Sequence, residues 1–145
     1  MRRVRRSALL PHPAPQVFAL VDDVDRYSEF LPWCVASEVL HRDRDEVTGR
    51  IEIDAHGHRE VLVTRNELVG EREIRLTLME GPFNAFDGCW LFTPLGKEGA
   101  SGCKVELDIA FEFASRLMSL AAGPFIDRIA DRIVDAFAQR AATAL

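Results

Sequence analysis

Long hydrophobic runs are missing from this 145-residue sequence. No apolar segment approaches the roughly 18 to 20 residues that a membrane-spanning helix needs. The run Ala8–Leu10 ends at Pro11 and is shorter than the core of about 7 to 15 residues in a secretory signal peptide. We therefore expect a chain without a targeting segment, for which the cytoplasm is the default location.

Cysteine and net positive charge are also scarce. Cys34, Cys89 and Cys103 are odd in number and lack C-x-x-C spacing, which favours buried, reduced thiols over a metal or redox site. A net charge of −5 argues against a DNA-binding protein. The local exception is a basic N-terminus with four arginines, Arg2, Arg3, Arg5 and Arg6.

The composition that remains is that of an ordinary globular protein, with 48% apolar and 28% charged residues. A chain of this length is expected to form one domain, residues 1–145. Its most unusual segment is Tyr27–Cys34, in which three aromatic residues, a Leu and a Cys surround Pro32. Because surface loops prefer small polar residues, this segment is expected to be buried as one lip of a pocket.

Hydrophobic periodicity predicts strands through the middle of the chain. A first strand over Arg2 to Leu10 is followed by two short helices, one starting near Pro15 and one over Asp25 to Phe30. Strict alternation from Cys103 to Phe113 is the clearest strand signal, with one buried and one solvated face. Further strands are predicted around Val35–His41, Ile51–Ala55, Val61–Thr64, Ile74–Leu78 and Cys89–Phe92, separated by turns at Gly57, Gly70, and Gly96 with Gly99 and Gly102.

The last third changes to a helical period. Ile126, Ile129, Ile133 and Phe137 recur at spacings of three, four and four, which predicts a long amphipathic helix. Ser115 is expected to cap an earlier segment, and Gly123-Pro124 is expected to kink or interrupt the helix.

The order of elements predicts an α+β fold of the helix-grip type, with a curved antiparallel sheet of about seven strands around the C-terminal helix. Incomplete closure of such a sheet on its helix leaves an apolar cavity, which is a common ligand site. Two aromatic regions are expected to line it. They contribute Phe30, Trp33, Phe83, Phe86, Trp90 and Phe92. The strand Cys89–Phe92 is apolar on both faces, so its outer face is expected to be covered as well.

Catalytic and metal signatures are weak. No nucleophile elbow or phosphate-binding loop is present, and the placed Asp and Glu residues fall on solvated faces, so we expect no enzyme. His56-Gly57-His58 supplies too few ligands for a metal and is interpreted as a polar hairpin tip. The acidic run Asp22–Asp25 lacks the spacing of a calcium loop.

The sequence resembles the coenzyme Q-binding, START-like family, whose bacterial members include ribosome-association toxins. The resemblance is carried chiefly by Tyr27–Cys34, and in chain order by Pro13–Phe18, Ser37–Leu40, Gly81–Phe83, Trp90–Pro94, Ile109–Phe113 and Ala136–Ala141. It implies the helix-grip (START/Bet v 1-like) fold and non-enzymatic binding of ubiquinone or a related polyprenyl quinone in support of respiration. It further implies that Phe30, Leu31, Trp33 and Trp90 lie near the pocket, with Ile129 and Ile133 as its helical wall.

Three functional hypotheses follow. The first is a binder of a hydrophobic ligand that makes peripheral contact with a membrane, in bacteria the inner membrane. The second is a ribosome-association factor that binds the large ribosomal subunit, for which the N-terminal arginines could contact RNA phosphate. The third is a polyketide cyclase-like enzyme, which would need an ionisable group inside the cavity.

Overall fold

The computed structural model describes residues 1–55, 57–97 and 101–145. His56 and Gly99, to which the sequence assigned hairpin turns, lie outside these residues. The described residues form seven strands: β1 (Arg2–Leu10), β2 (Cys34–Arg42), β3 (Glu46–Ala55), β4 (His58–Val69), β5 (Glu73–Glu80), β6 (Phe83–Leu95) and β7 (Gly102–Phe113). Three α-helices accompany them: α1 (Ala14–Asp22), α2 (Tyr27–Phe30) and α3 (Arg116–Ala144). A 3-10 turn, Val24–Arg26, joins α1 to α2.

The strands form one curved antiparallel sheet in the order β1-β7-β6-β5-β4-β3-β2. Strands β2 to β7 are a meander of successive hairpins, and β1 closes the far edge by pairing with β7. Gly57 and Gly70 have φ values of +87° and +57°, the left-handed region that hairpin turns need and that glycine adopts without a Cβ clash. The predicted α+β helix-grip arrangement is confirmed.

Helix α3 runs without interruption for 29 residues, with Pro124 inside it. The predicted cap is present, since the Ser115 hydroxyl accepts a hydrogen bond from the Met118 N–H at 3.0 Å. The predicted interruption at Gly123-Pro124 is absent. Packing explains this, because Ala122, Gly123 and Ile126 are all buried on either side of the proline.

Strand β6 is longer than the sequence predicted. Phe83 and Phe86, assigned to a loop, belong to the strand and pair with Phe113 and Phe111 of β7, with a bulge between Phe83 and Ala85. The outer face of this strand is not covered as expected, because Leu91 is 41% exposed. Trp90 and Phe92 on the inner face are buried. Although the sequence of Cys89–Phe92 is apolar on both faces, only one face is buried and the other is in contact with solvent.

The core consists of two clusters on the inner face of the sheet. The larger contains Phe18, Trp90, Phe92 and Phe137, which join α1 and the C-terminal half of α3 to the sheet. The smaller contains Phe111, Phe113 and Ile126 and lies under the N-terminal half of α3, with Phe83 and Phe86 packed against it. The space between these clusters is where the sheet and α3 do not close on each other.

Candidate functional site

The aromatic segment Tyr27–Cys34 is a tight turn held against the sheet. The Leu31 N–H donates to the Tyr27 carbonyl, and the Cys34 N–H donates to the Leu31 carbonyl, each at 3.0 Å. The Asp54 N–H of β3 donates to the Trp33 carbonyl at 3.0 Å. These bonds place Trp33 beside the end of β3, where its side chain reaches the inner face of the sheet.

Tyr27 anchors this turn to the helices. Its hydroxyl donates to the Val21 carbonyl, and its ring lies edge-on to Phe137 of α3 at 5.2 Å between centroids. Burial raises the pKa of the Tyr27 phenol well above its usual range, with the Asp22 carboxylate adding to the effect. The phenol is therefore a neutral donor with its acceptor already in place, and its part in the site is structural.

An apolar cavity of about 150 Å³ lies between the inner face of the sheet and α3. Seven of the nine predicted site residues line it: Leu31, Trp33, Phe83, Phe86, Trp90, Ile129 and Ile133. Phe30 instead lines a neighbouring groove. Phe92 lines neither space, since it packs edge-on against Phe18 at 5.3 Å in the larger core cluster.

Sequence reasoning missed the wall that β4 provides. Glu60, Leu62, Thr64 and Asn66 are alternate residues of this strand, and all four line the cavity. The sequence showed a period of two in this strand. Val61 and Val63, which alternate with Leu62 and Thr64, are also apolar, so the sequence did not show which face of the strand points inward. Strand β3 adds Gly49, Ile51 and Ile53 to the wall by the same alternation.

Strand β4 contributes three polar side chains to this largely apolar space: Glu60, Thr64 and Asn66. Glu60 has a side chain 18% exposed and a carboxylate 2.6 Å from the His58 imidazole nitrogen Nε2. Asn66, 7% exposed, is the buried polar residue of the described core, and its Oδ1 accepts a hydrogen bond of 2.7 Å from the Thr64 hydroxyl. The expectation that carboxylates lie on solvated faces is thus wrong for Glu60.

An open groove of about 580 Å³ runs along the outside of α3. It is lined by Phe30, Pro32, Trp33, Asp54, Phe125, Arg128, Ile129, Arg132, Asp135, Ala136 and Gln139. Trp33 and Ile129 line both the groove and the cavity. These two side chains therefore mark the place where the cavity meets the surface.

The four N-terminal arginines are engaged within the protein. Arg2 and Arg6 pair with Asp127 and Asp131, one turn apart on α3. Arg3 and Arg5 both pair with Asp108 of β7 at 2.7 and 3.2 Å, and the Arg3 guanidinium holds the pKa of that carboxyl below its usual range. The cluster joins β1 to its neighbours and is not an array of free cations.

Within the described ranges, no three His, Cys, Asp or Glu side chains are grouped so that they could hold a metal ion. His56, one member of the weighed His56-Gly57-His58 motif, lies outside those ranges. None of the described helices is both long enough and apolar enough to span a membrane.

Comparison with known proteins agrees with this architecture. A family model described as polyketide cyclase/dehydrase and lipid transport matches residues 10–138. The ribosome association toxin RatA of Pseudomonas aeruginosa is 41% identical over 95% of this chain and 94% of its own length. The mitochondrial coenzyme Q-binding protein COQ10 homolog B of Xenopus laevis is 29% identical over 93% of this chain, which spans 56% of that protein.

Solved structures share this fold over almost the whole chain. A Thermus thermophilus protein superposes with a TM-score of 0.82 at 21% identity, covering 99% of both chains. The Zhui aromatase/cyclase of a Streptomyces species gives a TM-score of 0.80 at 21% identity, covering 97% of this chain and 93% of that one. At this level of identity the likeness is one of fold. It agrees with the START-like resemblance seen in the sequence.

Proposed function

The chain belongs to the polyketide cyclase/dehydrase and lipid transport family, and we propose that within it the protein is a ribosome-association factor. The observation that carries this proposal is similarity to RatA proteins over nearly the whole of this chain, at 41% identity for Pseudomonas aeruginosa and 36% for Escherichia coli. Both matches cover at least 95% of this chain. The order of the hypotheses drawn from sequence is thereby reversed, with ribosome association first.

The cations best placed to meet ribosomal RNA are on α3. Arg128 and Arg132 lie four residues apart on one helix face and line the groove. In the described part of the chain, neither guanidinium has a carboxylate within 4.0 Å. Because unpaired cations release counterions when they bind phosphate, these two contribute more to RNA affinity than the paired N-terminal arginines.

Co-sedimentation with purified bacterial ribosomal particles tests the proposal. We expect the protein to sediment with the large subunit, and R128Q/R132Q to weaken binding and reduce its dependence on salt concentration. The matched control is R3Q/R5Q, which removes two exposed arginines that are already paired with Asp108.

Absence of the wild-type protein from all ribosomal fractions at low salt would refute ribosome association. Binding that is lost in the control pair but kept in R128Q/R132Q would refute the assignment to α3 alone. Sucrose-gradient profiles after overexpression give a second reading, and unchanged free-subunit peaks would count against a toxin-like effect.

We propose as a second function that the cavity binds a hydrophobic ligand of the quinone type. The cavity wall supports this, as does the name of the Xenopus laevis relative, a coenzyme Q-binding protein. A dry cavity of about 150 Å³ holds one benzene-sized ring, which matches the volume found here. A ring can therefore occupy the closed part of the cavity, with the first part of an isoprenoid tail behind it and the rest of the tail leaving between Trp33 and Ile129 into the groove.

The junction between cavity and groove offers a cleaner test than Trp90. Trp90 is 4% exposed and packs against Phe137 at 5.3 Å. Truncating such a core aromatic to Ala costs about 3–5 kcal/mol of stability, which would obscure any effect on binding. Ile129 is only partly buried, so I129Q should place an amide in the tail's path without emptying the core.

The experiment combines extraction with direct binding. Protein purified without a tag is extracted with organic solvent and searched for quinone by mass spectrometry, and a short-chain ubiquinone is titrated against tryptophan fluorescence. We expect binding in the wild type and weaker binding in I129Q, with exposed A142Q as the control. Neither extracted quinone nor saturable binding in the wild type would refute this function.

A further inference from the structure

Asn66 is a buried polar side chain that the folded chain leaves partly unused. It is 93% buried, as its 7% exposure requires, and its Oδ1 accepts the Thr64 hydroxyl proton at 2.7 Å. Its Nδ2 amide group donates to no acceptor among the described residues. Among the described residues, the fully enclosed side-chain nitrogen and oxygen atoms that lack a partner are Asp22 Oδ1 and Arg140 Nε. Asn66 Nδ2 is not one of them, so it is open to the cavity that Asn66 lines, where it can donate to a partner that arrives from outside.

Asn66 lies at the inner end of the cavity, away from the mouth at Trp33. Glu60 pairs with Ile53 of β3, next to Asp54, whose N–H binds the Trp33 carbonyl at the mouth. Asn66 is six residues farther along β4, about 20 Å at the usual rise of 3.3 Å per residue. There it pairs with Val47, which is fully buried.

The inner end is also covered. Val24 of the 3-10 turn is 3% exposed, and its side chain packs so closely over Gly49 that an added Cβ would lie 3.3 Å from a Val24 methyl. Gly49 pairs with Thr64, directly beside the Thr64–Asn66 hydrogen bond. A ligand entering at Trp33 therefore reaches Asn66 with its leading end, away from solvent.

We infer that the Asn66–Thr64 pair is a binding site for a carbonyl oxygen on the leading ring of the ligand. The Nδ2 group would donate to that oxygen, while Thr64 holds the amide in the required orientation. The apolar side chains beside Asn66, among them Leu76 of the paired strand β5, accept the body of the ring. The ligand class is thus a cyclic ketone or quinone with an apolar tail, and the inference rests on the proposed ligand-binding function.

Two ring compounds of matched shape test it. Duroquinone and durene are both tetramethylated six-membered rings, and only duroquinone has carbonyl groups. Full substitution also prevents thiol addition to the quinone. We expect the wild type to bind duroquinone about tenfold more tightly than durene, the difference that one buried hydrogen bond supplies.

The variant N66L removes the donor with little change of shape. It should lose the preference for duroquinone and bind durene at least as well as the wild type does. In T64V/N66L the hydroxyl left without its acceptor is also removed, so this variant stays informative if N66L is poorly folded. The matched control is N84L, because Asn84 is exposed on β6; it should keep the wild-type preference.

Each result decides the inference. Equal wild-type affinity for both rings, or a full preference retained in N66L, overturns the carbonyl site while leaving ligand binding intact. Binding of neither ring by the wild type overturns ligand binding and the carbonyl site together. Preference for tetramethylphenol over duroquinone would show that the amide presents its oxygen, and would also overturn the assignment.

Discussion

Single polar residues give the cavity its direction. Glu60 lies near Trp33 at the mouth, and Asn66 lies at the inner end beneath Val24. Leu62 and Thr64 separate them along the same face of β4. A ligand with one polar end therefore meets different chemistry at the two ends, an ionisable carboxyl by the mouth and a neutral amide inside.

Cys89 provides a prediction at the residue scale. Partial burial, together with S–H donation to the Glu73 carboxylate at 3.3 Å, raises the pKa of the Cys89 thiol to about 12. At pH 8 its thiolate is then about three orders of magnitude rarer than that of an ordinary cysteine with a pKa of about 8.5. We expect iodoacetamide to modify Cys89 correspondingly slowly, as measured by peptide mass spectrometry.

Two comparisons make this prediction specific. E73Q removes the acceptor charge, lowers the Cys89 pKa and should speed modification, whereas wild-type labelling at the rate of free cysteine would contradict the prediction. The raised pKa of Cys89 also determines whether the stability of the fold rises or falls with pH. Above about pH 8.5 the unfolded chain gains thiolate that the folded chain resists, so stability falls as pH rises.

Sequence patterns identified the aromatic residues of the site better than its polar ones. Seven of nine predicted side chains line the cavity because large apolar residues in a turn and a strand are rarely left in solvent. Asn66 was not predicted as a site residue because the register of β4 decides which of its residues point inward, and Val61 and Val63 make both faces of that strand apolar. The sequence assigned Phe92 to the cavity because the position of a residue in a strand does not show whether its side chain lines the cavity or packs in the core beneath α1.

Helix α3 contributes to both proposed sites, since one of its faces closes the cavity and another carries Arg128 and Arg132. Its apolar period was readable from Ile126 to Phe137, but its continuity through Pro124 was not. Proline removes the N–H that would bind the Leu120 carbonyl, which locally disfavours helix. Tertiary packing of Ala122, Gly123 and Ile126 outweighs that local cost.

A stability prediction follows for this helix. P124A restores the N–H and removes the ring clash, so it should raise the free energy of unfolding by about 2–3 kcal/mol. Urea denaturation followed by circular dichroism measures the change. The control R128A, at an exposed site in the same helix, should stay within about 0.5 kcal/mol of the wild type. A loss of stability in P124A would mean that the proline ring makes a packing contribution larger than its backbone cost.

At the scale of the whole molecule, the two proposed functions use different parts of one fold. The cavity is bounded by the inner face of the sheet and the buried side of α3. The proposed ribosome contact uses the outer side of α3 and the groove beside it. Trp33 and Ile129 belong to both, so an occupied cavity and a bound ribosome would meet at these two side chains.

Filling the cavity separates the two functions. Ala130 is 4% exposed and lines the cavity from α3, so A130L directs three additional carbons into the space that a ring would occupy. We expect duroquinone affinity to fall at least tenfold, since a space of about 150 Å³ holds a single ring-sized group. Overpacking typically costs about 1–3 kcal/mol, so a thermal unfolding curve must show that the variant remains folded.

Ribosome co-sedimentation of the same variant then shows whether the functions are coupled. If the outer face of α3 alone makes the contact, A130L should sediment like the wild type, and so should A142L, which adds the same side chain at an exposed position. Because Arg128 and Arg132 flank Ala130 on the same helix, a shift of α3 would move them. Loss of co-sedimentation in folded A130L, with A142L unaffected, would therefore contradict independent surfaces and make the state of the cavity a determinant of ribosome binding.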